Sequence, residues 1–301
     1  MKRTDKKKMT PMQKREAVAG YLFLLPNFIG FLVFTAIPVV IGFYISLTDY
    51  TGFGKPNFVG LENYIKMWSD SDFLIALKNN LWYTVGTVPL TILFALLLAL
   101  MLNRKLYGGK VFQTVYFFPN LTSMVAVGCV WLQIFNRKNG PVNQMLTQLF
   151  GVENPPKWFW GAGTALLTIV IVVVWKQAGY YMIMFLGGLK NIPTQLYEAA
   201  KIDGANAWDA FIHVTLPMLS PTTFMITILT FIASFQVFDI INVTTEGGPG
   251  RVTEVLVMRI YKEAFKYGRM GYGSAIGYFL FAIILVITLI QWHGQKNWVV
   301  E

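Results

Sequence analysis

Charge is what this chain has least of. Only 13% of its 301 residues are Asp, Glu, Lys or Arg, against roughly 25% in a soluble domain. With 55% hydrophobic residues and a mean hydropathy of +0.51, that deficit excludes an ordinary soluble domain and points to a bilayer. Cysteine occurs once, as Cys129 inside an apolar run, which excludes an internal disulfide. Histidine occurs twice, and His213 and His293 are far apart, so no metal-ligand cluster is visible. A phosphate-binding G-x-x-x-x-G-K-[ST] loop is missing: Gly108-Gly109-Lys110 has neither the spacing nor a preceding strand. No nucleophile–base pairing suggests hydrolysis, and no arginine lies inside an apolar run. The chain is therefore expected not to be an enzyme and to bind no cofactor itself.

What is there is apolar sequence in long pieces. A spanning helix needs about 20 residues, and six stretches supply them: 21–47, 81–102, 113–136, 163–187, 216–241 and 272–292. A barrel would instead show alternating runs of about ten residues. The expected fold class is all-α, a polytopic membrane protein with six transmembrane helices. Pro26, Pro38, Pro89, Pro119 and Pro221 fall inside or beside these stretches; spans tolerate proline where neighbours or water satisfy the freed carbonyls. The first stretch is too long for a signal-peptide core of about 7–15 residues and is read as a retained helix. Aromatic residues, 16% of the chain, suit interfacial belts.

The +10 net charge fits basic residues flanking spans better than nucleic-acid binding, and no nucleic-acid partner is expected. Tail 1–20 carries seven basic and two acidic residues. Such a cluster places it in the cytoplasm, together with loop 103–112 (Arg104, Lys105, Lys110), loop 188–215 and the C-terminus. Loops 48–80, 137–162 and 242–271 then lie outside. The expected organisation is a basic tail over 1–20, a first span with its outer connection over 21–80, a core over 81–293 and a tail over 294–301.

One inner loop stands out. Residues 198–217 read EAAKIDGANAWDAFIHVTLP. Pro193 suits a helix start. Asp203-Gly204 is a turn signal, with glycine available for the left-handed cap. Asn206 followed by Asp209 resembles a capping box opening a second short helix. Two short helices with a sharp bend are expected. Ala199, Ala200, Ala205 and Ala207 leave little bulk at the bend, with Glu198, Asp203 and Trp208 around it. Leu196, Phe211 and Val214 fall at helical spacings and are expected to pack back onto the bundle. Such an elbow could fit a cleft on another protein or rest on the inner leaflet as a solvated loop.

Glu198-Ala199-Ala200, Asp203-Gly204-Ala205 and Leu216-Pro217 together resemble the EAA loop of binding-protein-dependent ABC importer permeases, with Val214 where the family form has isoleucine. FVGLENY (58–64), YFFP (116–119), GLKNIPTQLYEAAKIDGA (188–205), TTEGGPG (244–250) and GYGSAIGYFLF (271–281) resemble the carbohydrate-type branch, the maltose and glycerol-3-phosphate permeases among them. The resemblance implies a type I ABC importer permease fold in a bacterial cell membrane, with both termini cytoplasmic. It implies that residues 192–217 couple to a cytoplasmic ATPase subunit, present in two copies and carrying ATP and magnesium. A second EAA-type permease subunit and an extracytoplasmic substrate-binding protein would complete the assembly. The cargo implied is a sugar or oligosaccharide, with glycerol-3-phosphate or a related polyol as the alternative. An ion-coupled secondary carrier, the rival of another class, would show an inverted repeat and mid-membrane carboxylates; neither is seen, Asp239 being read as near an outer end.

Polar groups inside spans are the candidates for the cargo path. A lysine at a helix centre costs roughly 2.5–3.5 kcal/mol, so Lys176 should face water, a partner helix or a carbonyl, unless it snorkels to an interface. Gln177, Tyr180, Thr230, Ser234, Gln236 and Asp239 complete the set. Serine and threonine in spans often only bond their own helix carbonyls. By the resemblance, Gln177, Tyr180, Thr230, Ser234 and Gln236 occupy positions that line the cavity of sugar-type permeases. Neutral amides and aromatic faces suit neutral, hydroxyl-rich molecules.

Overall fold

The computed structural model describes residues 10–104 and 107–298. Residues 1–9 of the basic tail, Lys105 and residues 299–301 lie outside the described residues. Among those described there is no strand, only a single bridge between Thr48 and Phe58. Four helices are long and apolar enough to cross a bilayer: α1 (Pro11–Ser46), a helix over Ser71–Leu102, one over Ala165–Lys190 and one opening at Met270. Two bent pairs raise the number to six if each pair is one span. The expected six spans are met only on that count.

Helix α1 begins at a reciprocal capping box between Thr10 and Gln13, so residues 11–20 of the expected tail continue the first span. It loosens into a π turn at Leu32–Ala36, directly before Pro38, whose missing N–H forces the ladder to shift register. No residue of its first twenty-one is buried. Asn63, on the short helix α2 (Glu62–Met67), ties the following connection to α1 through its amide, 2.9 and 2.8 Å from the Ser46 and Thr48 carbonyls.

Next comes α3 (Ser71–Leu102), capped by Asp70 and starting ten residues before the apolar run at 81. The expected third span is two helices, α4 (Gly109–Leu121) and α5 (Met124–Ile134), bent by 100°. Both sides of the bend are built. The Thr122 hydroxyl donates to the Pro119 carbonyl at 2.7 Å, and Ser123 caps α5 by accepting from the Ala126 N–H. Next is α6 (Pro141–Phe150), whose Asn143 accepts the Trp158 indole N–H at 2.6 Å.

Helix α7 (Ala165–Lys190) is the axis of the bundle, with 67% of its most apolar window buried. It is apolar on most faces, as a largely enclosed helix is, with Lys176 and Gln177 as the polar exceptions at its middle. Tyr83, Ile169, Val173 and Ile240 form the core at one end, and Ala99, Met182, Phe185 and Leu219 at the other. Beyond the elbow helices α8 (Thr194–Ile202) and α9 (Ala207–Met218), the chain bends by 62° into α10 (Ser220–Phe235). The expected fifth span breaks again at 236–238 before α11 (Asp239–Thr244). Helix α12 (Leu256–Tyr261) and a π turn at Lys262–Lys266 lead to α13 (Met270–Trp298), which runs through the expected boundary at 294.

One end of the bundle is closed by charge. Arg259, 5% exposed, lies 3.1 Å from Asp70, 2.9 Å from Asp72, 3.7 Å from Glu254 and 2.6 Å from Glu263. Lys262 pairs with Glu254 at 2.8 Å, Arg269 with Glu263 at 2.7 Å and Arg251 with Asp72. Tyr272 donates its O–H to Asp70 at 2.7 Å. Four carboxylates and four cations thus join the start of α3 to α12 and α13. Burial pushes the Glu263 carboxyl up against the pull of Arg259 and Arg269. Burial would raise Asp70 too, but the Tyr272 hydrogen bond and the Arg259 charge outweigh it and hold its pKa below the ordinary 3.8. Stability that Asp70 contributes is therefore in place above pH 3.8 and lost as pH falls through its lower folded value. Asp70→Asn should cost roughly 2 kcal/mol at neutral pH. The deficit should shrink in acid unfolding below the ordinary carboxylate pKa of 3.8, and a pH-independent deficit would contradict the assignment.

Candidate functional site: a capped elbow and a cavity where two spans break

Two places concentrate the polar residues picked out by the sequence. The first is the elbow. Helix α8 opens after Pro193, which serves as N-cap with extended backbone. It ends in a complete Schellman motif: the Gly204 N–H bonds to the Lys201 carbonyl at 3.2 Å, and the Ala205 N–H to Ala200 at 2.9 Å. Gly204 has φ +82°, the left-handed conformation only glycine adopts freely. Asn206 then accepts from the N–H groups of Trp208 and Asp209 at 2.8 and 3.0 Å, while Asp209 accepts from the Asn206 N–H at 3.1 Å. The expected capping box is present and starts α9.

The elbow is anchored by Tyr197, whose hydroxyl meets that of Thr215 at 3.0 Å, and by Val214 and Met218, packed on the core around Leu219. Val214 therefore packs inward as expected. Phe211 is half-buried against Trp208, with ring centroids 5.5 Å apart, and Leu196 is exposed rather than packed, because α8 turns that face away from the bundle. Glu198, Ala199, Asp203 and Gly204 are exposed, and Ala200 and Ala205 half-buried. Leu216 is exposed, and Pro217 sits in the last turn of α9, just before the 62° bend. Ile202, 86% exposed, and Trp208, 65% exposed, give the outward surface an apolar pair. Ile202 was not singled out in sequence, since its place in AAKIDG gives no sign that the bend leaves it bare.

The second place is a cavity of about 160 Å³ where the two interrupted spans meet. Met124, the first residue of α5, lines it with Gln236 and Asp239 from the α10–α11 break, Gln177 of α7 and Tyr83 of α3. Three of the seven path candidates, Gln177, Gln236 and Asp239, are brought together here. Asp239, read as near an outer end, lines the cavity wall at the break. The other four are elsewhere. Thr230 donates to the Ile226 and Thr227 carbonyls of its own helix at 2.8 and 3.1 Å. Ser234 donates to Phe231 at 2.7 Å and meets the Thr84 hydroxyl at 3.0 Å. Tyr180 is exposed and edge-on to Tyr181. Lys176 turns toward α4, donating to the Asn120 carbonyl at 3.3 Å.

Asn80, passed over in sequence, supports this break. Its fully buried amide donates to the Ser234 carbonyl at 3.4 Å and accepts from the Leu256 N–H at 3.3 Å. Asn79 beside it donates to the carbonyls of Arg251 and Glu254 at 2.8 and 3.0 Å. Two adjacent amides opening an apolar run were the available signal. Asn80→Leu strands a carbonyl and an N–H in the core, and should lower stability by about 2 kcal/mol, read as an earlier thermal unfolding transition in detergent. A transition unchanged from wild type would show that the amide carries nothing.

Spans broken at mid-bundle around a polar cavity, with a bent small-surfaced loop at one end, define a membrane permease. The chain belongs to the family of binding-protein-dependent transport system inner membrane components, which it matches over residues 91–293. It is 35% identical over 299 residues to the probable ABC transporter permease protein YesP of Bacillus subtilis (strain 168), covering 98% of this chain and 96% of that one. It is 36% identical over 275 residues to the arabinooligosaccharides transport system permease protein AraP of the same organism, covering 91% and 87%. A chain of the solved bacterial alginate ABC transporter, in complex with its alginate pentasaccharide-bound periplasmic protein, superposes with a TM-score of 0.83 at 26% identity, covering 94% of this chain and 96% of that one. The fold is thus the all-α, multi-pass ABC importer permease fold expected from the EAA-type loop.

Proposed function

We propose that this chain is one permease subunit of an ATP-driven importer that moves a sugar or oligosaccharide across a bacterial cell membrane, with both termini in the cytoplasm. Its partners are a second EAA-type permease, two cytoplasmic ATPase subunits and an extracytoplasmic substrate-binding protein. ATP and magnesium act on the ATPase, and this chain supplies the path. Closure of the ATPase pair draws the elbows together, the spans turn the cavity outward, and hydrolysis returns it inward.

The observation that carries this reading is the elbow. Glu198, Ala199, Asp203 and Gly204 stand exposed on a rigidly capped bend beside the bare Ile202 and Trp208. Such a surface fits a cleft and loses little entropy on docking. The cavity supports the cargo class. Gln177, Gln236 and the Tyr83 ring offer donors, acceptors and an aromatic face, and no lysine or arginine lines it. A phosphorylated polyol would call for cationic partners. The carbohydrate transporters among the relatives point the same way.

Gly204→Val strains the left-handed cap, and Glu198→Arg reverses a charge on the exposed face. Each should lower saccharide uptake at least tenfold and weaken co-purification of the ATPase. Undiminished uptake with an intact complex would end the coupling assignment. Asp239 in the cavity wall gives the ion-coupled carrier one supporting observation, and proteoliposomes decide. Uptake that needs ATP and survives an uncoupler fits the importer, and the reverse pattern fits the carrier.

A further inference from the structure

Lys176 is the one charged side chain buried at mid-helix in α7, 8% exposed. Among the described residues none of the ion pairs includes it. Its ammonium instead meets the carbonyl of Asn120, one residue before the end of α4. A helix end has unpaired carbonyls and a partial negative charge. A cation placed there is strongly held in a low-dielectric setting.

A second contact lies one turn further along the same face. A Cβ on Gly179 would collide with the backbone carbonyl of Tyr116 on α4. Positions 176 and 179 of α7 thus engage 120 and 116 of α4, a two-point seam between antiparallel helices. Beyond the break the chain keeps other company. Helix α5 packs on α11, where Gly128 admits Ile240, Val243 and Thr244. It also touches α7, through Val127 in the core shared with Val173 and through the edge-on Trp131 and Trp175 rings, 5.3 Å between centroids. Gln177, next to Lys176, lines the cavity, as does Met124 just past the break.

We propose that Lys176 is a positioning residue for transport: it pins the cut end of α4 to α7, making these two helices one body, so that α5 and α11 turn together about the Thr122–Ser123 break. This rests on the reading of the chain as a permease. The charge is spent on a backbone carbonyl because that carbonyl ends the fixed half of a broken span. The neighbouring Gln177 then stays with the fixed body, while Asp239 moves with the other, and the cavity opens between them.

The test uses the complete importer in nanodiscs, in a Cys129→Ala background. Spin labels are placed at positions 115 and 171, which line one groove between α4 and α7, and in a second sample at 115 and 130, across the break. The 115–171 distance should be the same without nucleotide and with trapped nucleotide, while the 115–130 distance changes. Lys176→Met, neutral and of similar length, should broaden the 115–171 distribution and lower uptake about tenfold with the complex still assembled. Lys176→Arg should restore most of both. A Met variant with wild-type distances and uptake would overturn the proposal. So would a wild-type 115–171 distance that shifts with nucleotide, which decides the matter even if the Met variant fails to assemble. Distances that respond to nucleotide in a complex importing no saccharide would refute the cargo assignment and leave the hinge standing.

Discussion

A helix cut inside a bilayer leaves carbonyl and N–H groups with no water to turn to, and everything particular about this molecule follows from where it tolerates such cuts. Two of them flank the cavity, at 122–123 and at 236–238, apart from the 62° bend at 219. Each is supported by side-chain hydrogen bonds. Thr122, Ser123 and Lys176 serve the first, and Asn80 the second. The cavity lies where the two cuts meet, because only there can backbone and side-chain polar groups face an interior space together.

The two ends of the bundle are built by different physics. At one end, four carboxylates and four cations hold α3, α12 and α13 together through Arg259. Removing Arg259 would leave its buried carboxylates short of their shared partner. At the other end the elbow is shaped by local caps and anchored by Tyr197, Val214 and Met218, with Ile202 and Trp208 left exposed. A charged collar at one end, a capped elbow at the other and broken spans between them make the two ends of the bundle physically different.

Much of this was legible in the sequence, because the signals were local. Apolar run length located the spans, and Asp203-Gly204 and Asn206…Asp209 foretold both caps of the elbow. The breaks were not read, although Pro119 stood in view. A run of apolar residues looks the same whether its helix continues or bends, and only the Lys176 contact from a helix 56 positions away shows which. Thr230 and Ser234 looked like path residues yet bond their own helix and Thr84, a choice made by rotamer and neighbour.

By itself the sequence indicated a chain that crosses a membrane, the apolar stretches involved, and one loop built as a capped elbow. Burial length and capping chemistry act over a few residues and leave a local imprint. The tertiary structure alone decided that Gln177, Gln236 and Asp239 share a cavity, that Lys176 faces a cut helix end, and that Arg259 gathers four carboxylates. Those encounters join residues far apart in the chain, and their geometry follows from how helices pack around α7, which no local pattern encodes.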